Sequence, residues 1–390
     1  MHNSSQKLIG ISSSLGPEHF LNQYQKAKKQ GHHALLLPPI KETSQLSTHF
    51  DQCSPHELWL DDQVITHTKT PKLQALELPS TFFYTSGSQG WPKVIVHSDQ
   101  NLKNSAQASI NALNNIPQQQ KTHLTPLPLW HVGGMLCYYR AQICDSKLKV
   151  FKNDELIKYL LENPESLVVM VPTQLQRLLE QKIYIDHRHH HYYLGGGPLS
   201  KHLEGLIKDQ NIQVTASYGM TETAGAIATG FEQIKIMEGI QLKCDEENRL
   251  HIKTDRLARY QVISNQLKEI DRDEDGHFAT NDQAEITPKL KILGRLDETF
   301  VSGGENIDPG LIYRLLVPLN LGIVKVIPVT HKDLGYASYL FVSHLTPQKE
   351  ALIQKTLPSH LKPFKVLKTP STSHIKPTYQ DYLKAAHDEL

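Results

Sequence analysis

Residues 80–98 read STFFYTSGSQGWPKVIVHS, and this stretch decides how the rest of the chain is read. Thr81-Phe82-Phe83-Tyr84-Thr85 is an aromatic run of strand length, and Val94-Ile95-Val96-His97-Ser98 is the strand that returns. Between them lies Ser86-Gly87-Ser88-Gln89-Gly90-Trp91-Pro92-Lys93. Glycines let backbone N–H groups converge on an anion, the hydroxyls of Thr85, Ser86 and Ser88 add donors, and Lys93 brings a cation. The same composition also serves an ordinary polar hairpin turn, so the residues alone leave both readings open. The chain has no Gly-x-x-x-x-Gly-Lys-Ser/Thr and no Gly-x-Gly-x-x-Gly, which sets aside the P-loop and dinucleotide-binding classes.

Outward from this loop, apolar runs alternate with amphipathic stretches from about residue 80 to 220, as in βα units with several parallel strands. Ser98 and Asp99 are placed to cap a helix over LKNSAQASINALNN. LVVMVP (167–172) reads as a buried strand, followed by a helix capped by Thr173 with Leu175, Leu178 and Leu179 on one face. NIQVTASYG (211–219) repeats the strand-then-loop pattern. After about 240 the segments shorten to RLHIKT and KLKIL around DRDEDGH, which predicts antiparallel strands in a barrel-like extension. From 296 a self-contained β/α pattern begins, with a helix at Asp308-Pro309, strands IVKVIPV and ASYLFVS, and a helix in TPQKEALIQKTL. The fold class is therefore α/β, with a large domain over 1–295 and a small α+β domain over 296–390. Residues 1–79 give no usable motif.

With 41 basic and 40 acidic residues, no strong field draws the chain to nucleic acid or to an anionic membrane. Cys53, Cys137, Cys144 and Cys244 make no metal spacing and suit a reducing cytoplasm. No segment approaches the length of a membrane span, and the N-terminus lacks a leader pattern, so a cytoplasmic protein is expected. His187-Arg188-His189-His190-His191 is not taken as a metal site, because adjacent residues alternate across a strand and no carboxylate or cysteine pattern completes a set.

Further strings follow the loop in a fixed order. They are Leu127-Pro128-Leu129-Trp130-His131-Val132-Gly133-Gly134, Val171-Pro172-Thr173-Gln174-Leu175-Gln176-Arg177-Leu178-Leu179, Gly195-Gly196-Gly197-Pro198 and Tyr218-Gly219-Met220-Thr221-Glu222-Thr223. Next come Ala279-Thr280-Asn281-Asp282, Gly294-Arg295-Leu296-Asp297 with Phe300 to Pro309, and Pro370-Ser371-Thr372-Ser373-His374-Ile375-Lys376. Taken singly, each has a plain structural reading: a core histidine, helix packing, a strand-to-helix turn, a solvated tail lysine.

Together they resemble the adenylate-forming superfamily of acyl-CoA synthetases, peptide-synthetase adenylation domains and luciferases. The TSGSTGxPK loop, YGxTE, TGD, GRLD and PxTxxGK motifs all have counterparts, and VPTQLxRLL with SGGE-x-I-x-P is most like the o-succinylbenzoate-CoA ligases. The resemblance spans about residues 80 to 380. Only about 80 residues precede the loop, where relatives carry a longer N-terminal part. Gln89 stands for the family's Thr, Asn281 for the Gly of TGD, and Ile375 for the Gly before the last lysine.

The resemblance implies an acid–thiol ligase of menaquinone biosynthesis that uses ATP, Mg²⁺ and coenzyme A. ATP is expected on Thr85, Ser86, Gly87, Ser88, Gly90, Lys93, Gly196, Gly197, Tyr218, Gly219, Asp282 and Arg295. Thr221 and Lys376 act at the α-phosphate, and Glu222 holds Mg²⁺, a hard cation suited to carboxylate oxygen. His131 faces the activated carboxylate, with Gln174 and Gly195 at the acyl group. Asp297 is the hinge about which the small domain moves. Expected partners are a small carboxylic acid, ATP and CoA, without nucleic acid or membrane insertion, and with a homodimer left open. Rival readings are a ligase for another fatty or aryl acid, and a nucleotide-binding relative without turnover.

Overall fold

The computed structural model describes residues 6–40, 53–61, 63–66, 76, 79–85, 93–113, 122–152, 155–163, 165–181, 185–231, 234–286, 289–302, 305–322, 324–332, 334–371, 377 and 379–389. The chain is mixed α/β, and two large sheets form its N-terminal body. The first has eight strands in the order Gln266–Glu269, Tyr260–Ile263, Lys93–Ser98, Ser80–Thr85, His33–Leu36, Leu8–Ser12, Glu57–Leu60 and Gln63–Thr66. The second has seven, in the order Lys235–Ile236, Gly225–Gly230, Gln213–Met220, His191–Leu194, Ser166–Met170, Thr122–Thr125 and Lys147–Val150.

The strands Ser80–Thr85 and Lys93–Ser98 pair antiparallel from Ser80–Ser98 to Thr85–Lys93, so they are the two arms of a hairpin. The first 79 residues, unreadable in the sequence, supply the parallel strands Leu8–Ser12, His33–Leu36 and Glu57–Leu60 to the same sheet. In the second sheet Gln213–Met220, His191–Leu194, Ser166–Met170, Thr122–Thr125 and Lys147–Val150 run parallel. Ser166–Met170 is buried along its whole length, as a central strand covered on both faces must be. Its apolar run Leu167 to Met170 is the reason it sits there.

Local capping follows the sequence with one change. Ser98 caps the helix Asp99–Ala112 by accepting from the Asn101 amide at 3.1 Å. Thr173, expected as a cap, instead lies inside the helix Pro172–Glu180, whose cap is Val171. Pro172 takes the first helical position, where a missing N–H costs nothing, and Gln174 Oε1 accepts from Val171 N at 3.0 Å. Leu175, Leu178 and Leu179 are buried against the sheet as their spacing predicts.

After residue 240 the strands Gln241–Cys244, Arg249–Lys253, Phe278–Glu285 and Lys291–Arg295 form a four-stranded antiparallel sheet, the barrel-like extension. Tyr260–Ile263 and Gln266–Glu269 leave it and extend the eight-stranded sheet. The last body holds Val324–His331, Gly335–Val342 and Lys365–Lys368 with the helices Pro309–Leu316, Pro347–Thr356 and Tyr379–His387. Buried clusters before the turn Leu296–Glu298 use residues up to 292, and those after it begin at Phe300. The buried clusters thus fall into two sets, one on each side of this short turn. No helix among the described residues is long and apolar enough to cross a membrane.

Candidate active site

Four of the sequence strings lie just past the C-terminal ends of neighbouring parallel strands, where an open α/β sheet forms its crevice. Thr122–Thr125 leads to His131, Ser166–Met170 to Gln174, His191–Leu194 to Gly195–Gly197, and Gln213–Met220 to Thr221 and Glu222. The order of these strands in the sheet brings segments far apart in sequence to one edge.

His131 is the cap residue of the helix Val132–Ile143 and makes no side-chain cap bond. It is exposed, so it is not a core histidine. Neighbouring protein still strips water from part of its ring, which lowers its pKa from the usual histidine value. An accessible imidazole crowded on one side is what a cleft wall provides. Gly195 N donates to Met170 O at 3.2 Å, and Ser217 Oγ donates to Leu194 O at 2.8 Å, so the glycine turn is tied to both flanking strands.

The Tyr218 segment is held by a tight reversal. A Cβ on Gly219 would overlap the carbonyl of Gly225, and the register shifts between Tyr218 and Gly219 as the chain folds back. Thr221–Thr223 then forms a single 3₁₀ turn. His97 Nε2 donates to the Thr221 carbonyl at 2.6 Å, and Ala258 N donates to the Glu222 carbonyl at 2.8 Å. Both backbone carbonyls of the Thr221-Glu222 pair are thereby fixed. No hydrogen bond among the described residues engages the Thr221 hydroxyl.

Lys93 and Glu222 pair at 2.7 Å, with the carboxylate side chain only 12% exposed. This ion pair joins the hairpin of the first sheet to the turn of the second. Thr85 Oγ1 donates to Lys93 O at 3.1 Å, so its hydroxyl closes the hairpin neck. Ser86, Gly87, Ser88 and Gly90 lie outside the described residues, as does Lys376.

Tyr218, Asp282, Arg295 and Asp297 form one continuous network. Asp282 and Arg295 are cross-strand partners, and Arg295 Nη1 donates to Asp282 Oδ1 at 3.1 Å. The Tyr218 hydroxyl donates to the other oxygen, Oδ2, at 2.5 Å. Arg295 also grips Asp297 with Nε and Nη2, both at 2.9 Å. Burial raises the Asp282 pKa from its ordinary value against the opposing pull of Tyr218 and Arg295, while the Asp297 hydrogen bonds raise that of Arg295. Tyr218, expected at ATP, orients Asp282 through its hydroxyl.

Gln174 is buried, and its carbonyl oxygen is committed to the Val171 amide. The sequence reading missed His97 and Arg140. Arg140, in the helix begun by His131, is 2% exposed. Its Nη2 donates to Cys137 Sγ at 3.3 Å, its guanidinium lies 5.3 Å from the centre of the Tyr193 ring, and Nε has no hydrogen-bond partner. Among the described residues no carboxylate pairs with it. The signal was a lone arginine in the otherwise uncharged run MLCYYRAQI.

Glu222 fits a hard divalent cation: it is a carboxylate beside the hairpin neck, paired here with the Lys93 ammonium. Asp273, Asp275 and His277 also cluster, but Lys243 already pairs with both carboxylates at 2.9 and 3.2 Å. The histidines of 187–191 diverge, His187 bonding to Tyr192 Oη and His191 to Thr215 Oγ1.

Comparison with known proteins matches the AMP-binding enzyme family model over residues 8–254. The 2-succinylbenzoate–CoA ligase of Haemophilus influenzae is 30% identical over 72% of this chain and 62% of its own length. The Escherichia coli protein of the same name is 31% identical over 65% of this chain and 56% of its own length. The chain thus spans about three fifths of these curated relatives. Among solved structures, E. coli MenE with bound OSB-AMS superposes with a TM-score of 0.81 at 22% identity, covering 100% of this chain and 89% of that one. The Bacillus subtilis o-succinylbenzoate CoA synthetase in complex with ATP and magnesium gives 0.74 at 19% identity, covering 98% and 90%. The family model matches more than half of the chain, and so the chain belongs to the AMP-binding enzymes, the adenylate-forming superfamily.

Proposed function

We propose that this protein is an ATP-dependent, AMP-forming acid–CoA ligase acting on o-succinylbenzoate, the ligase step of menaquinone biosynthesis, in the cytoplasm. The observation that carries the reading is the continuous network Tyr218–Asp282–Arg295–Asp297, which joins a nucleotide-type carboxylate to the boundary of the small domain. The names of its relatives support the choice of acid.

In the first step a carboxylate oxygen of the acid attacks the α-phosphorus of ATP, and the bond to pyrophosphate breaks. In the second the CoA thiolate attacks the acyl carbonyl and AMP leaves. No protein nucleophile is needed, so positioning and charge do the catalytic work. Asp282 is assigned to the ribose hydroxyls, Thr221 to the α-phosphate, and Lys93 to the phosphates once it leaves Glu222. Mg²⁺ held by Glu222 would neutralise phosphate charge. Lys376 is assigned to the α-phosphate, His131 to the reacting carboxylate, and the small domain, 296–390, to rotation about Asp297 between steps.

The acid has two carboxylates and only one is activated, so the other needs a cation. Arg140 supplies it: a buried guanidinium without a carboxylate is costly, and an anionic substrate group would satisfy it. The test is pyrophosphate release with o-succinylbenzoate, with and without CoA, beside a panel of fatty and aryl acids. Equal release with acids lacking a second carboxylate would reject the substrate. Release with none would reject the ligase.

A further inference from the structure

At the domain boundary this chain carries Asn281 where the resembling motif has glycine. The exchange does not serve the backbone, since Asn281 lies within the extended strand Phe278–Glu285 and is not among the residues with positive φ. Its side chain has a specific partner instead. Asn281 Nδ2 donates to Asp297 Oδ2 at 3.0 Å, beside the two bonds from Arg295 to the same carboxylate. Asp297 sits in the turn Leu296–Glu298 that joins the two cores, and its side chain is only 7% exposed. Other contacts fix the same arrangement. Gly294 and Gly310 approach so closely that a Cβ on either would collide with the other's Cα, and Arg314 donates to Leu293 O across the boundary.

We propose that Asn281 is a latch on the domain boundary, holding the Asp297 carboxylate in the orientation seen here, and that rotation of residues 296–390 requires this bond to break. The inference rests on the two-step reading above. Arg295 is a poor probe of it because the same guanidinium also serves Asp282. Asn281 bonds only to Asp297 among the described residues, so it reports on the boundary alone. It is a positioning residue and touches no reacting atom.

The test uses the full chain without ligand and reads amide hydrogen exchange across 296–299. Asn281→Ala removes the donor without glycine's added backbone freedom, and Asn281→Asp replaces it with a like charge beside Asp297. Exchange at the turn is expected to rise about 3- to 10-fold in the alanine variant, as loss of one charge-assisted bond at a partly solvated site allows. The aspartate variant should rise further, with the strand Ser166–Met170 unchanged in both. The same variants should shift the ratio of pyrophosphate release to thioester formation from supplied acyl-adenylate by a similar factor. Unchanged exchange at the turn in both variants overturns the latch, and so does faster exchange with an unaltered ratio of the two half-reactions. Faster exchange in protein that releases no pyrophosphate with any acid upholds the latch's grip on Asp297 and rejects the ligase reading instead.

Discussion

The Tyr218 hydroxyl and the Asp282 carboxylate, 64 residues apart in sequence, meet at 2.5 Å between the seven-stranded sheet and the antiparallel extension. Asp282 is 7% exposed, so losing this donor leaves a buried carboxylate with Arg295 as its remaining side-chain partner. Tyr218→Phe is expected to raise the ATP requirement about 3- to 10-fold, the scale of one hydrogen bond to a charged group in a half-open site. Discrimination between ATP and 2'-deoxy-ATP should shrink with it. Burial already raises the Asp282 pKa and the tyrosine bond opposes that shift. Removing the bond should move the acid limb of the pH profile for ATP affinity to higher pH. An acid limb that stays in place would mean that Asp282 does not hold the ribose.

Arg140→Met keeps a long apolar stem for packing on Tyr193 and removes the charge. Turnover of o-succinylbenzoate should fall about 10- to 100-fold in kcat/KM, as expected for one charge-assisted pair. With the other carboxylate esterified, variant and parent should be nearly equal. A uniform loss on both substrates would assign Arg140 to packing alone. Replacing the buried, partly unpaired guanidinium should leave the thermal midpoint unchanged or higher.

The order of motifs was legible because each lies on a short run of residues whose types are fixed by local geometry. Gly219 is required by the reversal against Gly225, and the strand in LVVMVP by burial on both faces. What escaped was set by distance. The strand Leu8–Ser12 shows only a short apolar run, and its neighbours His33–Leu36 and Glu57–Leu60 become apparent only through parallel pairing. His97 reads as a polar strand residue until the turn at Thr221 is brought over it. Asn281 reads as a substitute for turn glycine, yet its strand is extended and its side chain does the work. Thr173 was misread as a cap because proline at the first helical position starts the helix two residues earlier, with Val171 as its cap.

His97 and His33 predict the response to acid. Both are fully buried, and burial pushes the pKa of each down from 6.5 to about 4. His97 donates from Nε2 to the Thr221 carbonyl, and its Nδ1 is buried without a partner, so protonation places an unpaired charge inside. Between pH 6.5 and 4 the unfolded chain binds these protons and the folded chain does not, so stability falls as pH drops through that window. Each group contributes on the order of 3 kcal/mol at most across it. His97→Gln can keep a donor toward Thr221 and should flatten the decline in thermal midpoint below pH 6.5 relative to the parent. A parallel decline in both proteins would show that His97 does not titrate in this range.

The last prediction concerns the pair that bridges the two sheets. Lys93 sits 2.7 Å from Glu222, so its ammonium already supplies the charge that a divalent ion would bring. Two cations cannot share one carboxylate at contact distance without strong repulsion. An Mg²⁺ held by Glu222, as proposed, would therefore displace Lys93 and free it for the phosphates. Lys93→Met removes the competitor as well as the phosphate contact, and the two effects have opposite signs. Half-maximal pyrophosphate release should need about 3- to 10-fold less Mg²⁺, by the scale of one partly exposed ion pair with hydrogen bonding. The ATP requirement should rise at the same time. Glu222→Gln should show the converse, with a higher Mg²⁺ requirement. In the double variant Lys93→Met/Glu222→Gln, the Lys93 substitution should no longer lower the Mg²⁺ requirement, because the carboxylate it contends for is gone. Titrating Mg²⁺ at saturating ATP for all four proteins checks this. If Lys93→Met still lowers the requirement by the same factor when combined with Glu222→Gln, the lysine and the metal do not compete for that carboxylate, and the ion is held elsewhere.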